Sequence, residues 1–280
     1  MENWRKHMWY ESISSSLLLV GLLKNLRIRN REAHRFGADK AQYYTLHMPK
    51  REQKRTLVVY IHGGGWRQGS AKLFAAVGDF FADEGYITAV LGYRKSPKNK
   101  YPCQIEDVAK GLANALDVIR EKGIEIDKIV VSGSSAGAQL GAVLCLNKAL
   151  HKRYGLNTGL FQGFCSLSGP LSFEDCVPNP FFEEIMALLL PSATEYRVAD
   201  PITHLSAQNE MNLLCIHGEM DPVVFVKNAE VFYEAFVPAP GFGKEMRIAQ
   251  NGYHSTVGAG LFYFSSEERK VLLKWLEQFK

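Results

Sequence analysis

Ile129-Val130-Val131-Ser132-Gly133-Ser134-Ser135-Ala136-Gly137 is the stretch on which the fold turns. A β-branched apolar run that ends in small residues, and is followed at once by a helical pattern from Ala136 to Lys148, predicts a buried strand turning directly into a helix. With no loop to spread the bend, the turn must be tight and strained. Small residues on both sides of the central serine let it close. Ser135 then stands clear at the C-terminal edge of a sheet. Taken alone the Gly-x-Ser-x-Gly pattern is weak, because this composition gives about 0.1 matches by chance, and a glycine-rich turn closing a strand explains it equally well.

Working outward, His62-Gly63-Gly64-Gly65-Trp66 follows a second apolar strand, Leu57 to Ile61. Consecutive glycines leave backbone N–H groups free to turn toward a developing alkoxide with no side chain in the way. The amide of Ala136, at the positive end of the helix after Ser135, would be a further donor. An HGGG run arises by chance in about 0.005 of such chains, so the two motifs together carry far more weight than either alone. A phosphate-cradling loop is the competing reading of three glycines, but no G-x-x-x-x-G-K-[ST] is present.

A serine hydroxyl is a poor nucleophile at neutral pH and needs a base, itself oriented by a carboxylate. The Gly-x-Ser-x-Gly turn between strand and helix resembles the hydrolase pattern, whose chain order is serine, then an acid after a later strand, then histidine near the end. Asp221 follows the strand Asn212 to Ile216 in His217-Gly-Glu-Met-Asp221-Pro-Val-Val224. His254 comes 33 residues later in Asn251-Gly-Tyr-His254-Ser, a glycine-containing loop before the C-terminal helix. Glu219 lies closer to the strand and Asp200 precedes it, so both are weaker candidates. His217 reads as a residue that holds backbone groups together, and His62 as one that braces its glycine loop. His7, His34, His47, His151 and His204 have no motif around them. No histidine pair has metal-ligand spacing, so neither metal nor cofactor is expected.

From about residue 40 onward, short apolar runs alternate with longer helical patterns, the mark of β-α units and a mostly parallel sheet. Strands are expected at Gln42 to Met48, Thr56 to Ile61, Ile87 to Leu91, Lys128 to Ser132, Phe161 to Leu167, Asn212 to Ile216 and Glu245 to Ile248. Helices are expected at Lys72 to Glu84, Cys103 to Lys122, Ala136 to Lys148, Val226 to Phe236 and Glu267 to Phe279. Residues 170 to 200, with Pro170, Pro178, Pro180 and Pro191 around a helical patch from Phe181 to Leu190, read as an insertion over one end of the sheet. Nothing divides the chain, so residues 1–280 read as a single domain with an N-terminal helical extension over 1–40. Within it Ile13 to Leu23 is too short to span a bilayer, and Lys24-Asn25 replaces a cleavage site; it reads as a surface-packing helix, with an interfacial helix edged by Trp4, Trp9 and Tyr10 as the rival.

Composition is that of an ordinary globular chain and excludes other classes. Hydrophobic residues make up 46% of the chain and charged residues 22%, which is neither disordered nor multi-span membrane composition. A net charge of +4 is too small for a dedicated nucleic-acid surface. Cys103, Cys145, Cys165, Cys176 and Cys215 are odd in number and widely spaced, so they read as reduced core residues, and the compartment as cytoplasmic.

HGGGW, GSSAG, HGEMDPVV and GYHS, with Gly92-Tyr-Arg-Lys-Ser and Tyr101-Pro102 ahead of Glu106-Asp107, resemble the α/β-hydrolase superfamily over roughly residues 40 to 280. More narrowly they resemble its carboxylesterase and lipase branch, which holds hormone-sensitive-lipase-like esterases, feruloyl and acetylxylan esterases and kynurenine formamidases. The resemblance implies an α/β-hydrolase fold, a mostly parallel sheet flanked by helices with a short cap near 170–200. It implies Ser135 as nucleophile, His254 as base and then acid, Asp221 as its orienter, and the amides of Gly64, Gly65 and Ala136 as oxyanion hole. GSSAG lacks the Asp usual before the serine in hormone-sensitive-lipase relatives, and the glycine loop ends in Trp66, which shifts weight to small acyl esters. The expected activity is hydrolysis of short-chain esters through an acyl-enzyme. N-formylkynurenine-type amide hydrolysis or a peptidase on the same fold is the alternative, and a non-catalytic binding protein the rival from another class. Trp66, Tyr93, Phe182 and Met186 are expected to line the substrate site, with insertion residues merely packing on the sheet as the other reading. The partner is then a small-molecule ester, with no nucleic acid and no membrane span; a homodimer is left open.

Overall fold

The computed structural model describes residues 2–24, 31–50, 54–176, 179–262 and 266–280. Asn25, Pro178 and the side chain of Trp4 lie outside the described residues. The described residues form eight strands: β1 (Arg31–Arg35), β2 (Tyr43–His47), β3 (Lys54–Ile61), β4 (Tyr86–Leu91), β5 (Lys128–Ser134), β6 (Phe161–Leu167), β7 (Asn212–Gly218) and β8 (Lys244–Ala249). They build one sheet in the order β1-β2-β4-β3-β5-β6-β7-β8. The β1/β2 and β2/β4 pairs are antiparallel and every later pair is parallel. This is the α/β-hydrolase fold.

Why the central strands are apolar throughout is visible in β3. Leu57, Val59 and Ile61 belong to the core on one face of the sheet, while Val58 and Tyr60 belong to the core on the other. A strand covered on both sides has no solvent face to keep polar. One face is covered by α3 (Cys103–Glu121) and α4 (Ala136–Leu146), and the other by α2 (Ala75–Asp83) and α10 (Glu267–Leu276). On α3 the apolar stripe faces the sheet: Ile105, Val108, Leu112, Ala115 and Ile119, three or four residues apart, are all at 3% exposure or less. Each large member withdraws enough apolar surface to stabilise the fold by about 1.5–3 kcal/mol.

Several boundaries differ from the sequence reading for local reasons. The helix expected from Ala136 to Lys148 stops at Leu146, because Asn147 leaves helical geometry (φ −86°, ψ 89°) and its side chain accepts the N–H of Leu150 to start α5 (Lys148–Tyr154). The edge strand β1, Arg-Glu-Ala-His-Arg, carries no apolar alternation and went unread. The loop expected around His254 is a short helix, α9 (His254–Gly260), which packs beneath the N-terminal helix α1 (Glu2–Lys24). Glycines made it look like a loop; packing overrides their weak helix preference. Between β6 and β7 the chain leaves the sheet for α6 (Pro180–Leu189) and α7 (Ala193–Ala199) before α8 (Val226–Ala235) follows β7. Asp200 closes that excursion, its carboxylate accepting the N–H of Phe173.

The five cysteines are unpaired, with all but Cys103 buried. Among the described residues no helix is long and apolar enough to cross a membrane.

Candidate active site

The parallel strands β3, β5, β7 and β8 all end at the same edge, and the four segments singled out in the sequence follow them directly. Ser135 occupies the turn between β5 and α4 with φ 52° and ψ −123°, a conformation that L-residues adopt only under constraint. The neighbouring glycines explain the constraint. A Cβ on Gly137 would stand 2.0 Å from the carbonyl oxygen of Ile61, and one on Gly133 2.4 Å from that of Gly137. Backbone approaches backbone so closely here that no larger residue fits, and the serine between them is forced outward.

Ser135 Oγ lies 2.8 Å from His254 Nε2, and His254 Nδ1 lies 2.7 Å from Asp221 Oδ2. The other carboxylate oxygen of Asp221 accepts the N–H groups of Val223 and Val224, each at 2.9 Å. Burial drives the Asp221 carboxyl upward, but the adjacent His254 and the hydrogen bonds from His217 and His254 outweigh it and hold the group well below the usual carboxylate range. Burial pulls His254 down, whereas Asp221 and, more weakly, Glu11 push it up; its pKa ends above the ordinary imidazole value.

The glycine loop packs against this turn. A Cβ on Gly63 would meet the carbonyl of Ser134 at 2.8 Å and the Cβ of Ser135 at 3.3 Å. Gly64 and Gly65 have φ of +116° and +55°, and the carbonyl of Gly64 is engaged by the N–H groups of Arg67 and Gln68. Among the described residues the N–H groups of Gly64, Gly65 and Ala136 have no protein acceptor. His62 braces the loop as expected: Nδ1–H donates to the Gly63 carbonyl at 2.7 Å, and Nε2 accepts from Lys95 at 3.0 Å. Burial and then the Lys95 charge hold its pKa well below 6.5, so the ring is neutral.

Ser135, His254, Gly64 and Gly65 open onto a cavity of about 520 Å³ with mostly apolar walls. Trp66 and Phe182 line it, together with Phe181, Ile185, Val223 and Phe74. Trp66 is itself fixed, its indole N–H donating to Gln139 Oε1 at 2.9 Å. Two expected lining residues do not reach it. Tyr93 is fully buried one layer behind, stacked on His62 at 4.5 Å with its hydroxyl donating to the His62 carbonyl, so it supports the loop and touches no ligand space. Met186 is turned into the core.

One wall comes from the N-terminal helix, whose role the sequence left open. Met8, Glu11, Ser15, Leu18 and Leu22, spaced by three and four residues, bring one face of α1 to the cavity. Of these, Ser15, Leu18 and Leu22 fall in the apolar run Ile13 to Leu23, whereas Met8 and Glu11 precede it, so the run alone did not mark the face. Among the described residues no group of three or more His, Cys, Asp or Glu is placed to hold a metal ion.

A profile of the BD-FAE family matches residues 45–236. The chain belongs to the BD-FAE family. The matched span holds Ser135, Asp221 and the glycine loop, but neither α1 nor His254. Among curated relatives, rabbit (Oryctolagus cuniculus) arylacetamide deacetylase is 38% identical over 106 residues, 35% of this chain and 27% of the relative. Esterase LipC of Mycobacterium tuberculosis is 27% identical over 261 residues, 86% of this chain and 62% of the relative. The alignments thus span less than two thirds of either relative. Among solved structures, Esterase B from Lactobacillus Rhamnosis with a C4-C4 tributyrin phosphonate superposes with a TM-score of 0.77 at 17% identity, covering 99% of this chain and 94% of that one. The likeness is one of fold.

Proposed function

We propose that this BD-FAE protein hydrolyses carboxylic esters with short apolar acyl groups, through an acyl-enzyme on Ser135. The observation that carries the reading is the unbroken hydrogen-bond chain Asp221–His254–Ser135 at the wall of an apolar cavity, beside amides with no protein acceptor. Ser135 Oγ attacks the ester carbonyl as its proton passes to His254 Nε2. Asp221 keeps Nδ1 protonated and stabilises the imidazolium. The N–H groups of Gly64, Gly65 and Ala136 stabilise the oxyanion, a contribution for which one lost donor typically costs about 10²–10³ in turnover. His254 then returns its proton to the departing alcohol, and water, deprotonated by the same imidazole, releases the acid. The esterase names of the relatives support this reading, and the whole chain acts in it as one hydrolase domain, with α6 and α7 as a small cap.

The test is hydrolysis of p-nitrophenyl acetate and butyrate by the wild type and Ser135→Ala, with fluorophosphonate labelling of Ser135. Parallel assays with N-formylkynurenine and acetylated xylan separate ester from amide cleavage. Full activity in Ser135→Ala, with unchanged circular dichroism, would refute the nucleophile assignment.

A further inference from the structure

Glu11 lies on α1, outside the sheet and outside every motif read from the sequence, yet it is only 5% exposed. A buried carboxylate is costly unless hydrogen-bonded, so its partners matter. They converge on the residue next to His254. One carboxylate oxygen accepts the backbone N–H of Ser255 at 3.1 Å; the other accepts the hydroxyls of Ser255 and, at 2.8 Å, Ser15. The two serine hydroxyls also meet each other at 3.0 Å. Glu11, Ser15, His254 and Ser255 share one wall of the cavity with Ser135.

Holding α1 in place does not require this carboxylate. His7 and Tyr10 pack on Tyr253, with ring centroids at 6.0 and 5.5 Å, and Leu22 is buried in the core with Val257 and Leu261. An apolar side chain at position 11 would serve packing alone at lower desolvation cost. What the carboxylate adds is a fixed grip on the Ser255 peptide and side chain, and through it on the direction from which the His254 ring enters the line between Asp221 and Ser135. We propose that Glu11 is a positioning residue for the hydrolysis assigned above, an inference that rests on that assignment. By this account the N-terminal helix belongs to the catalytic apparatus.

Among the described residues the charged and titratable groups around His254 are Asp221 and His217 behind it, Glu11 from α1, and Arg67 from the glycine loop on the same cavity. Glu11 therefore has an electrostatic effect as well as a geometric one, and the two are separable. Glu11→Gln keeps an acceptor for Ser255 but removes the charge; Glu11→Ala removes both.

The 280-residue chain should be assayed with p-nitrophenyl butyrate across pH as wild type, Glu11→Gln, Glu11→Ala, Ser255→Ala and the Glu11→Ala/Ser255→Ala double variant, with thermal melts alongside. In Glu11→Gln the acid limb of kcat/KM should move to lower pH. In Glu11→Ala kcat should fall about fivefold or more at unchanged KM, the scale of one lost capping interaction. The double variant should lose less than the product of the two single losses. Unchanged kcat in folded Glu11→Ala, a loss confined to KM, or multiplicative losses would overturn the proposal. If Glu11→Ala does not fold, the acid limb of Glu11→Gln decides, and an unmoved limb overturns it. Wild-type turnover and its loss in Ser135→Ala test the underlying esterase reading separately, so the two failures are distinguishable.

Discussion

His217 Nε2 lies 3.2 Å from Oδ2 of Asp221, the same oxygen that receives the Nδ1–H of His254. Its shorter bond, at 2.8 Å, is to the carbonyl of Val224. One N–H thus ties the acid to the loop that follows it, and with the amides of Val223 and Val224 it fixes a fully buried carboxylate in a single orientation. Reading His217 as a holder of backbone was right about Val224 and missed the acid. His217→Ala should destabilise the protein by about 1–3 kcal/mol, the cost of leaving buried acceptors without a donor. Urea denaturation at neutral pH measures it, and an unchanged midpoint would contradict this account.

The backbone at Ser135 stores strain that the serine tolerates for position. A β-carbon at φ 52° and ψ −123° costs about 1–3 kcal/mol, whereas glycine there pays only its extra chain entropy, about 0.5–1 kcal/mol. Both Ser135→Ala and Ser135→Gly should be inactive, but the glycine variant should be more stable than the alanine variant by about 1 kcal/mol in chemical denaturation. Equal or reversed stabilities would show that the turn is unstrained.

His254 must be neutral to accept the serine proton. Because its pKa is raised above 6.5, chiefly by Asp221 acting against burial, kcat/KM should fall as pH drops through a midpoint above that value. Asp221→Asn removes the charge, so the midpoint should move down, and kcat should fall by about 10⁴ as the ring loses its orientation. The depressed pKa of Asp221 also has a stability sign: its contribution is present above the ordinary carboxylate range and disappears only as pH falls through its lower folded value. A kcat/KM profile flat from pH 5 to 8 would sink the assignment of His254 as base.

What was legible in the chain was what local geometry forces. Gly133 and Gly137 are written into the sequence because carbonyl oxygens stand where their Cβ atoms would be. Asp221 and His254 were legible through order, since each follows a strand ending at the same sheet edge. Glu11 was not, because its partner Ser255 is 244 residues away and no local pattern encodes that meeting. β1 was missed for a related reason: an edge strand of charged residues owes its place to pairing with β2 and not to its own side chains. Tyr93 and Met186 show the limit of reading a wall from composition, for a residue beside a site and a residue behind it look alike in sequence.

That last distinction makes a prediction on α6. Phe182 and Met186 are one turn apart and both buried, at 3% and 5% exposure, but only Phe182 reaches the cavity. Phe182→Ala should enlarge the cavity and shift kcat/KM toward longer acyl chains across a series of p-nitrophenyl esters from acetate to octanoate. Met186→Ala removes core packing, so it should cost about 2–5 kcal/mol of stability while leaving the order of preference among the esters as it was. If Met186→Ala moved the preference as far as Phe182→Ala does, the boundary drawn here between cavity wall and core would be in the wrong place.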